Sequence, residues 1–396
     1  MRPIPWRLAW LLATAGLLAG CAAGADATPP TWVPQPSVTL EAGPHVSLPN
    51  QQGPRTGPSD RSAPGNTPGR PGGPGTGRDP SVVATGLTAP TGLALLPDGS
   101  ALVGERTTGR IVRVQPTAGR PVPTVRTLTG LATSGDGGLL DLAVSPTYGE
   151  DGLIYAYVTT PTDNRVIDFT LTGKTAPVLT GIPRGAIGNT GRLTFDARGL
   201  LYVGTGDAGH AALAAKPNSL AGKVLRIDAI GHPAPGNPTP GSPVFTRGHH
   251  TVNGICVNET LHLVYETEAP NEINIVDSGA DYGWPAGGTG SEQPVQTLPA
   301  SRPGAGGCAV LGGRLYVATS DGKSLLATPS TGRAAPGKFT VSLNGRYGRL
   351  LTVVAAPDGA LWLTTTNKDG HGSPVPDDER VLRIVPTASG GGGSPL

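Results

Sequence analysis

The sequence predicts an all-β protein: a six-bladed β-propeller that follows a lipoprotein signal peptide and a disordered linker. Its 61 Gly, 42 Pro and 15% charged residues indicate a folded chain rich in turns rather than a helical or fully disordered one. A unit of strand, turn and strand recurs six times along the chain, which is typical of repeat architectures. Near the N-terminus, an apolar run that ends at a cysteine indicates export from the cytoplasm.

The N-terminal segment has the pattern of a lipoprotein leader. Arg2 and Arg7 precede an apolar run over residues 8–18, and Leu18–Cys21 reads LAGC, which resembles the bacterial lipobox. We therefore expect Cys21 to be the first mature residue, with acyl chains that anchor the protein to the outer face of the cell membrane. An ordinary signal peptide or one membrane helix remains as an alternative, although the apolar run is short for a bilayer.

Composition divides the chain into four parts. Residues 1–20 are the signal peptide, and residues 21–79 form a tether rich in Pro, Gly, Ser and Thr without apolar periodicity. Such a segment buries too little apolar surface to offset its ordering entropy, and we expect it to reach about 40 Å as a flexible chain. The propeller spans residues 80–388, and residues 389–396 form a disordered tail.

The repeated units predict the blades. Each begins with an apolar strand, and the turns at Pro97–Gly99 and Pro357–Gly359 read Pro-Asp-Gly, a combination that favours hairpins. A sandwich accommodates any single unit, but six copies need a radial or solenoid arrangement. The units are Leu93–Arg106, Leu142–Thr159, Leu193–Asp207, Ile255–Glu268, Cys308–Asp321 and Val353–Asn367. The third strands that follow them are Arg110–Val114, Arg165–Phe169, Lys223–Ile227, Glu272–Val276, Ser324–Ala327 and Arg380–Ile384.

Charge gives no support for a nucleic-acid partner. The chain has 30 Lys and Arg against 28 Asp and Glu, and Arg2 and Arg7 are lost with the leader, so the mature charges balance. A nucleic-acid-binding surface normally needs an excess of basic residues. We expect a monomer whose partners are the membrane and a sugar or cell-envelope glycan.

The ends of the repeated strands predict a functional rim at one mouth of the central channel. In a propeller, the start of the first strand and the end of the second lie on the same face of the ring. Carboxylates there suit a hard cation or sugar hydroxyls, whereas the alternative is that these residues only cap strands. The candidates are Glu105, Asp207, Glu268, Asp321 and Asn367 at strand ends, and Asp136, Asn189, Arg192, His249 and His250 at strand starts.

Two histidines and two cysteines have further roles to weigh. His249 and His250 are the candidate catalytic acid or base, since imidazole titrates near neutral pH, although a histidine pair in a loop also serves structural purposes. Cys256 and Cys308 occupy equivalent positions in consecutive repeats. An oxidising compartment permits a disulfide between them, and two buried free thiols are the alternative.

From about residue 82 to residue 384 the chain resembles the glucose/sorbosone dehydrogenase family of six-bladed propellers, which includes soluble pyrroloquinoline quinone (PQQ) sugar dehydrogenases. With its leader and tether, it looks most similar to the LppZ-type lipoprotein branch of mycobacteria. The matching stretches are Gly135–Ala143, Gly191–Leu193, Leu201–Asp207, Ser219–Asp228, Glu272–Asn274 and Asp281–Pro285.

The resemblance also locates departures from the family's chemistry. The histidine that serves as general base corresponds to Gly188, and the arginine and asparagine that bind the quinone correspond to His250 and Thr251. A glutamine that contacts the cofactor in some members is Ala208, and the loop that supplies calcium ligands is shortened to Glu268–Asn274. The resemblance therefore implies PQQ and calcium as cofactors, and these departures weaken the expectation that either one binds.

Three functions remain open at this stage. The first is PQQ-type sugar oxidation in which His249 or His250 replaces the lost base. The second is a non-catalytic propeller that binds a glycan, a cation or a protein at the cell surface. The third is a calcium-dependent lactonase-type hydrolase, whose ligand set matches less well.

The lipid anchor is testable through Cys21. Replacing Cys21 with Ala removes the thiol that carries the acyl chains, and each buried CH₂ contributes about 0.8 kcal/mol of membrane affinity. We expect Cys21→Ala to move the protein from the membrane fraction to the medium, as measured by immunoblotting of fractionated cells. A Ser47→Ala variant, changed within the predicted tether, is the control, and membrane retention of Cys21→Ala contradicts the prediction.

Overall fold

The computed structural model describes residues 79–287, 290–333 and 337–386. The predicted signal peptide, Cys21, the tether before Asp79 and the tail from residue 389 lie outside these residues. Among the residues described, no helix is long and apolar enough to cross a membrane.

The described chain forms six four-stranded antiparallel sheets, which confirms the predicted six-bladed propeller. Two one-turn helices, α1 (Tyr148–Asp151) and α2 (Ala212–Ala215), lie in loops. The N-terminal strand is β1 (Val82–Ala84), and blades 1 to 3 comprise β2 (Pro90–Leu95), β3 (Ala101–Glu105), β4 (Arg110–Val114), β5 (Thr124–Thr127), β6 (Leu139–Val144), β7 (Ile154–Thr159), β8 (Asn164–Phe169), β9 (Ala176–Ile182), β10 (Gly191–Phe195), β11 (Leu201–Thr205), β12 (Lys223–Ile227) and β13 (Val244–Arg247). Blades 4 to 6 comprise β14 (Val252–Asn258), β15 (Leu263–Glu268), β16 (Glu272–Ile275), β17 (Gln296–Thr297), β18 (Ala305–Leu311), β19 (Arg314–Thr319), β20 (Ser324–Pro329), β21 (Thr340–Ser342), β22 (Leu350–Ala355), β23 (Leu361–Thr365) and β24 (Val381–Ile384).

The first strand of the propeller closes the ring. β1 pairs with β24, with Val82 opposite Leu382 and Ala84 opposite Val381, so blade 6 combines three C-terminal strands with one from the N-terminus. The sequence analysis assigned no strand to Val82–Ala84. Because this pairing ties the two ends of the propeller together, it opposes opening of the ring between blades 6 and 1.

The apolar core lies between the blades. Six clusters of buried side chains each join two adjacent sheets, and both faces of the second strands β7 and β11 are buried. Blades 3 and 4 approach closely at Gly204, because a Cβ there would lie 2.5 Å from Cγ1 of Val252. The predicted hairpin turns are also present, with φ of +81° at Gly99 and +83° at Gly359.

A disulfide joins the inner strands of blades 4 and 5. Cys256 in β14 and Cys308 in β18 are bonded, with their Cα atoms 5.7 Å apart. This confirms the predicted pairing and excludes the alternative of two free thiols.

Loss of this disulfide should lower stability measurably. The two cysteines are 52 residues apart in the sequence, and the loop-entropy model gives about 4 kcal/mol for a loop of that length. In a Cys21→Ser background, we expect replacement of Cys256 and Cys308 with Ala to lower the midpoint of unfolding in guanidinium. Tryptophan fluorescence measures this unfolding. Reduction of the parent protein should reproduce the change, and an unchanged midpoint in either experiment contradicts the prediction.

Candidate functional site

Loops of blades 3 and 4 meet at one mouth of the channel. We call Gly188, Asp207, His250, Glu268 and Trp284 the rim cluster. The amide of Asp207 donates to the carbonyl of His250 at 2.9 Å, and the amide of Trp284 donates to the carbonyl of Gly248 at 2.9 Å. The His250 amide donates to Oε1 of Glu268. Backbone hydrogen bonds therefore fix this group on two blades.

His250 and Trp284 form an aromatic pair beside a buried carboxylate. Their ring centroids are 4.3 Å apart with an interplanar angle of 29°, and Nε2 of His250 lies 3.9 Å from Oδ2 of Asp207. Trp284 donates from Nε1 to Oδ2 of Asp207 at 3.0 Å, while Gly209 donates its amide to Oδ1 at 2.8 Å. The Asp207 carboxylate is 3% exposed, whereas the His250 side chain is 39% exposed, so His250 is the group open to a ligand.

His249 points away from the rim and is fully buried. Its Nδ1 lies 2.9 Å from Oε2 of Glu268 and 3.5 Å from Oε1 of Glu266, and its Nε2 lies 2.8 Å from Oγ1 of Thr246. Burial alone would lower the pKa of this imidazole, but the hydrogen bonds and charges of Glu266 and Glu268 outweigh it and raise the pKa to about 9. Of the two candidate bases, only His250 has access to solvent.

Gly188, which the resemblance aligns with the family's general base, has no room for a side chain. Gly188 has φ of +73°, and a Cβ there would lie 2.7 Å from the Gly209 amide nitrogen and 2.8 Å from Oδ1 of Asp207. Its amide donates to Oδ2 of Asp136 at 2.6 Å, and its carbonyl accepts from the Ala208 amide at 2.9 Å. The backbone here forms a bridge between blades 2 and 3.

Asp136 and Asn189 belong to that bridge. Asn189 is 1% exposed and donates from Nδ2 to Oδ1 of Asp136. Its own Oδ1 accepts from Asn164 Nδ2 at 3.1 Å and from the Gly185 amide at 2.9 Å. Both predicted rim residues therefore hold the loop that contains Gly188, and their polar atoms are engaged within the protein.

Arg192 lies in the channel wall. Together with Asp141 it lines a cavity of about 460 Å³ bordered by the inner strands, and its Nη1 is 3.8 Å from Oδ1 of Asp141. Burial raises the pKa of the Asp141 carboxyl to about 6, against the opposing effect of the Arg192 charge. Arg192 Nη1 also donates to the Thr91 carbonyl at 3.2 Å, which links blades 3 and 1 across the channel.

The remaining candidates are engaged elsewhere on the ring. Glu105 is buried and accepts from the Thr88 amide at 3.0 Å and from Oγ1 of Thr108 at 2.8 Å. Asp321 pairs with Arg349 Nη1. Asn367 accepts from the Arg349 amide at 2.7 Å. None of these three lies among the contacts of the rim cluster.

Sequence reasoning missed two side chains that face the predicted rim. Trp284 was visible only as part of a family motif, and its contact with Asp207 depends on a loop that returns from blade 4. Arg349 directly precedes β22 and binds Asp321 and Oδ2 of Asp369, the latter at 3.0 Å. A basic residue at a first-strand start was the available signal for Arg349, as it was for Arg192.

The fold and the site together define a class of protein: six-bladed propellers with a histidine, carboxylates and a tryptophan at the channel mouth. The sequence profile described as Glucose / Sorbosone dehydrogenase matches residues 87–306, and the chain belongs to that family.

Several relatives show the same architecture. The PQQ-bound aldose sugar dehydrogenase of Streptomyces coelicolor is 38% identical over 76% of this chain and 95% of its own, with a TM-score of 0.72. A Thermus protein described as a possible glucose dehydrogenase is 34% identical over 76% of this chain and 98% of its own, with a TM-score of 0.70. Quinoprotein glucose dehydrogenase B of Acinetobacter calcoaceticus is 28% identical over 52% of each chain, so this chain spans about half of that curated relative.

The residues present do not fit the quinone in the way that the family implies. Gly188 has no space for a side chain, and at the position that the resemblance assigns to a quinone-binding arginine, His250 lacks the planar guanidinium that binds carboxylates bidentately. The segment Glu268–Asn274, which the resemblance aligns with the calcium loop, takes part in blade packing, because the Pro270 carbonyl accepts from the Ala305 amide at 3.2 Å and Oδ1 of Asn271 accepts from the Gly304 amide at 3.0 Å. We therefore derive no catalytic step through PQQ or calcium.

The tight packing around Gly188 is testable by substitution. Gly188→Ala combines a left-handed backbone with a Cβ packed against Gly209 and Asp207, and we expect a loss of about 3 kcal/mol from strain and overpacking. Gly199 has φ of +76° with no atom within 4 Å of its Cβ position. Gly199→Ala therefore isolates the backbone cost, about 1 kcal/mol. Equal losses in urea unfolding contradict the packing argument.

Proposed function

We propose that this chain is an extracytoplasmic, lipid-anchored propeller that binds an aldose sugar at the rim cluster without the family's route of base-catalysed oxidation. The observation that carries this proposal is the packing of Gly188, where Asp207 and Gly209 fill the space that a base would need. The rim has kept groups for recognition, whereas the position for proton removal is closed.

The chemistry of the rim cluster suits a sugar. Trp284 and His250 present aromatic surface, on which the apolar face of a pyranose ring stacks. The exposed imidazole of His250 offers a hydrogen-bonding nitrogen to sugar hydroxyls, and the Asp207 carboxylate stands behind it. A few convergent polar groups beside aromatic side chains are typical of small-ligand sites. The names of the relatives, aldose sugar dehydrogenase and glucose dehydrogenase, support this ligand class.

A second candidate function is sugar oxidation of the family's type. The distance of 3.9 Å between Nε2 of His250 and Oδ2 of Asp207 favours it, because a carboxylate that orients an imidazole also supports its action as a general base. His250 would then take the proton that the general-base histidine takes in other members of the family. A glycan, cation or protein that binds without turnover would share the non-catalytic role of the first proposal, but not its aldose ligand.

The leader and the disulfide support the proposed location. Acylation of Cys21 would hold the protein at the outer face of the cell membrane, as in LppZ-type lipoproteins of mycobacteria. The bond between Cys256 and Cys308 supports an oxidising compartment, since such bonds are rare in the cytosol. The balanced charge supports a role without nucleic acid, and we propose a monomer.

Sugar binding is testable by calorimetry with the full chain and a panel of aldoses. We expect His250→Ala and Trp284→Ala each to weaken binding by about tenfold, or about 1.4 kcal/mol, because each removes half of the aromatic pair. His371→Ala is the matched control, since His371 is an exposed histidine in a loop of blade 6. Equal affinity in all three variants contradicts the proposed rim site.

Dye reduction with added PQQ and Ca²⁺ separates the two functions. The binding proposal expects no saturable aldose-dependent turnover under these conditions. Turnover that is abolished by His250→Ala but not by His371→Ala overturns it in favour of the second candidate.

A further inference from the structure

A closed group of ionisable side chains lies behind the rim, inside blade 4. We call His249, Glu266 and Glu268 the inner cluster. Nδ1 of His249 and one oxygen from each glutamate lie within 4.8 Å of one another, and the three residues are 0%, 0% and 3% exposed. His249 lies in the loop between β13 and β14, and both glutamates lie in β15. The two carboxylates therefore face one imidazole in a region without solvent.

The inner cluster contains acceptor atoms without donors. Glu266 Oε1 accepts from Asn274 Nδ2 at 2.6 Å, but Oε2 of Glu266 and Oδ1 of Asn274 are buried and have no hydrogen-bond partner. Asn274 is 1% exposed. A buried polar atom without a partner costs about 1–3 kcal/mol, and more when it carries charge. Two such oxygens, on two residues that are hydrogen-bonded to each other, indicate that the cluster receives a cation.

We infer that the inner cluster, with the amide oxygen of Asn274, binds a divalent transition-metal ion of the Zn²⁺ class. Tetrahedral zinc with bonds of about 2.1 Å separates its ligand atoms by about 3.4 Å. Nδ1 of His249 and Oε1 of Glu266 are 3.5 Å apart, and Nδ1 and Oε2 of Glu268 are 2.9 Å apart. Oδ1 of Asn274, which has no hydrogen-bond partner, is the candidate fourth ligand.

Charge supports the same conclusion. A divalent ion, two carboxylates and a neutral imidazole have no net charge, and the neighbouring Glu272 carboxylate is only partly buried. Without the metal, two buried carboxylates face at most one positive charge, from a protonated His249. A proton on Glu266 is the alternative way to balance the cluster, and the substitution described below separates it from metal binding.

The surroundings of the inner cluster match those of known metal ligands. A histidine that binds metal normally donates its other ring nitrogen to an oxygen, and Nε2 of His249 lies 2.8 Å from Oγ1 of Thr246. The His249 ring stacks on Tyr282 with centroids 4.5 Å apart. Oε1 of Glu268 accepts from the His250 amide, so the orientations of His249 and Glu268 are fixed.

This site differs from the calcium loop that the family resemblance implies. That loop supplies backbone carbonyl oxygens, and calcium takes six to eight oxygen ligands. The inner cluster instead offers an imidazole nitrogen and a few side-chain oxygens, a set that favours zinc and other transition metals. The inference is independent of the proposed sugar binding.

The test measures metal in tag-free full-length protein, because a histidine tag would itself bind metal. After exposure to ZnSO₄ during refolding and removal of loose ions, we expect about one zinc per chain by mass spectrometry, and a higher melting temperature than in metal-free protein. Glu266→Gln should lose the zinc and the rise in melting temperature. Co²⁺ in place of Zn²⁺ should give the visible absorption of a tetrahedral site.

Two controls make the assignment specific. Glu150→Gln changes an exposed glutamate in α1 and should leave zinc binding unchanged. Glu259→Gln changes an exposed glutamate that accepts from the Ala197 amide and should also leave it unchanged. A Glu266→Gln protein that retains zinc overturns the inference, as does wild type that binds none. Stabilisation by Ca²⁺ but not Zn²⁺, with loss in Glu272→Gln, overturns it in favour of the calcium loop.

The metal-free proteins provide a further check that does not depend on loading. Glutamine keeps the shape of Glu266 and removes its charge, so we expect metal-free Glu266→Gln to be at least as stable as metal-free wild type. A clearly lower unfolding midpoint in this variant overturns the inference, because it would show that the protein alone satisfies the Glu266 carboxyl.

Discussion

Every blade buries both faces of its sheet against its neighbours, and the positions of all the rim residues depend on this packing. The apolar clusters lie between sheets rather than within them, so a single blade has no core of its own. The pairing of β1 with β24 and the disulfide between β14 and β18 restrain the ring at two separate places. Loops on such a ring are held by a rigid scaffold, which is the usual condition for a binding site.

Blades 2 and 3 are joined by hydrogen bonds of the Gly188 backbone. The Gly188 amide is bound by Asp136, and its carbonyl receives the Ala208 amide. A backbone that makes both contacts with φ of +73° has become part of the joint between the blades. The surrounding loops therefore occupy the space that a side chain at this position would need.

Features set by local sequence were predicted well, and features set by distant contacts were not. The hairpins at Gly99 and Gly359 follow from turn chemistry, and the strand bounds of β4 and β12 match the prediction because each is a short, mostly apolar run next to turn residues. β1 has three residues and β17 has two, too few for any periodicity, and β1 is a strand only because β24 lies beside it.

The candidate site shows the same division. Topology placed Glu105 and Asp321 at strand ends, but their ion pairs with Arg110 and Arg349 depend on the neighbouring loops, which periodicity does not describe. The adjacent residues His249 and His250 have opposite environments, one buried and one partly exposed. Sequence position does not distinguish them, because only the paths of β13 and β14 decide which ring faces the interior.

Glu268 connects the interior of blade 4 with its surface. One of its oxygens contacts Nδ1 of His249, and the other accepts from the His250 amide. Any change in the inner cluster that moves this carboxylate therefore also moves the backbone of the residue that stacks on Trp284. Where two ligands act on one shared group, each changes the affinity for the other by the same factor. Because the Glu268 carboxylate is buried and bound on both sides, a cation at the inner cluster would order His250 before a sugar arrives, and sugar binding would then cost less ordering entropy at the rim.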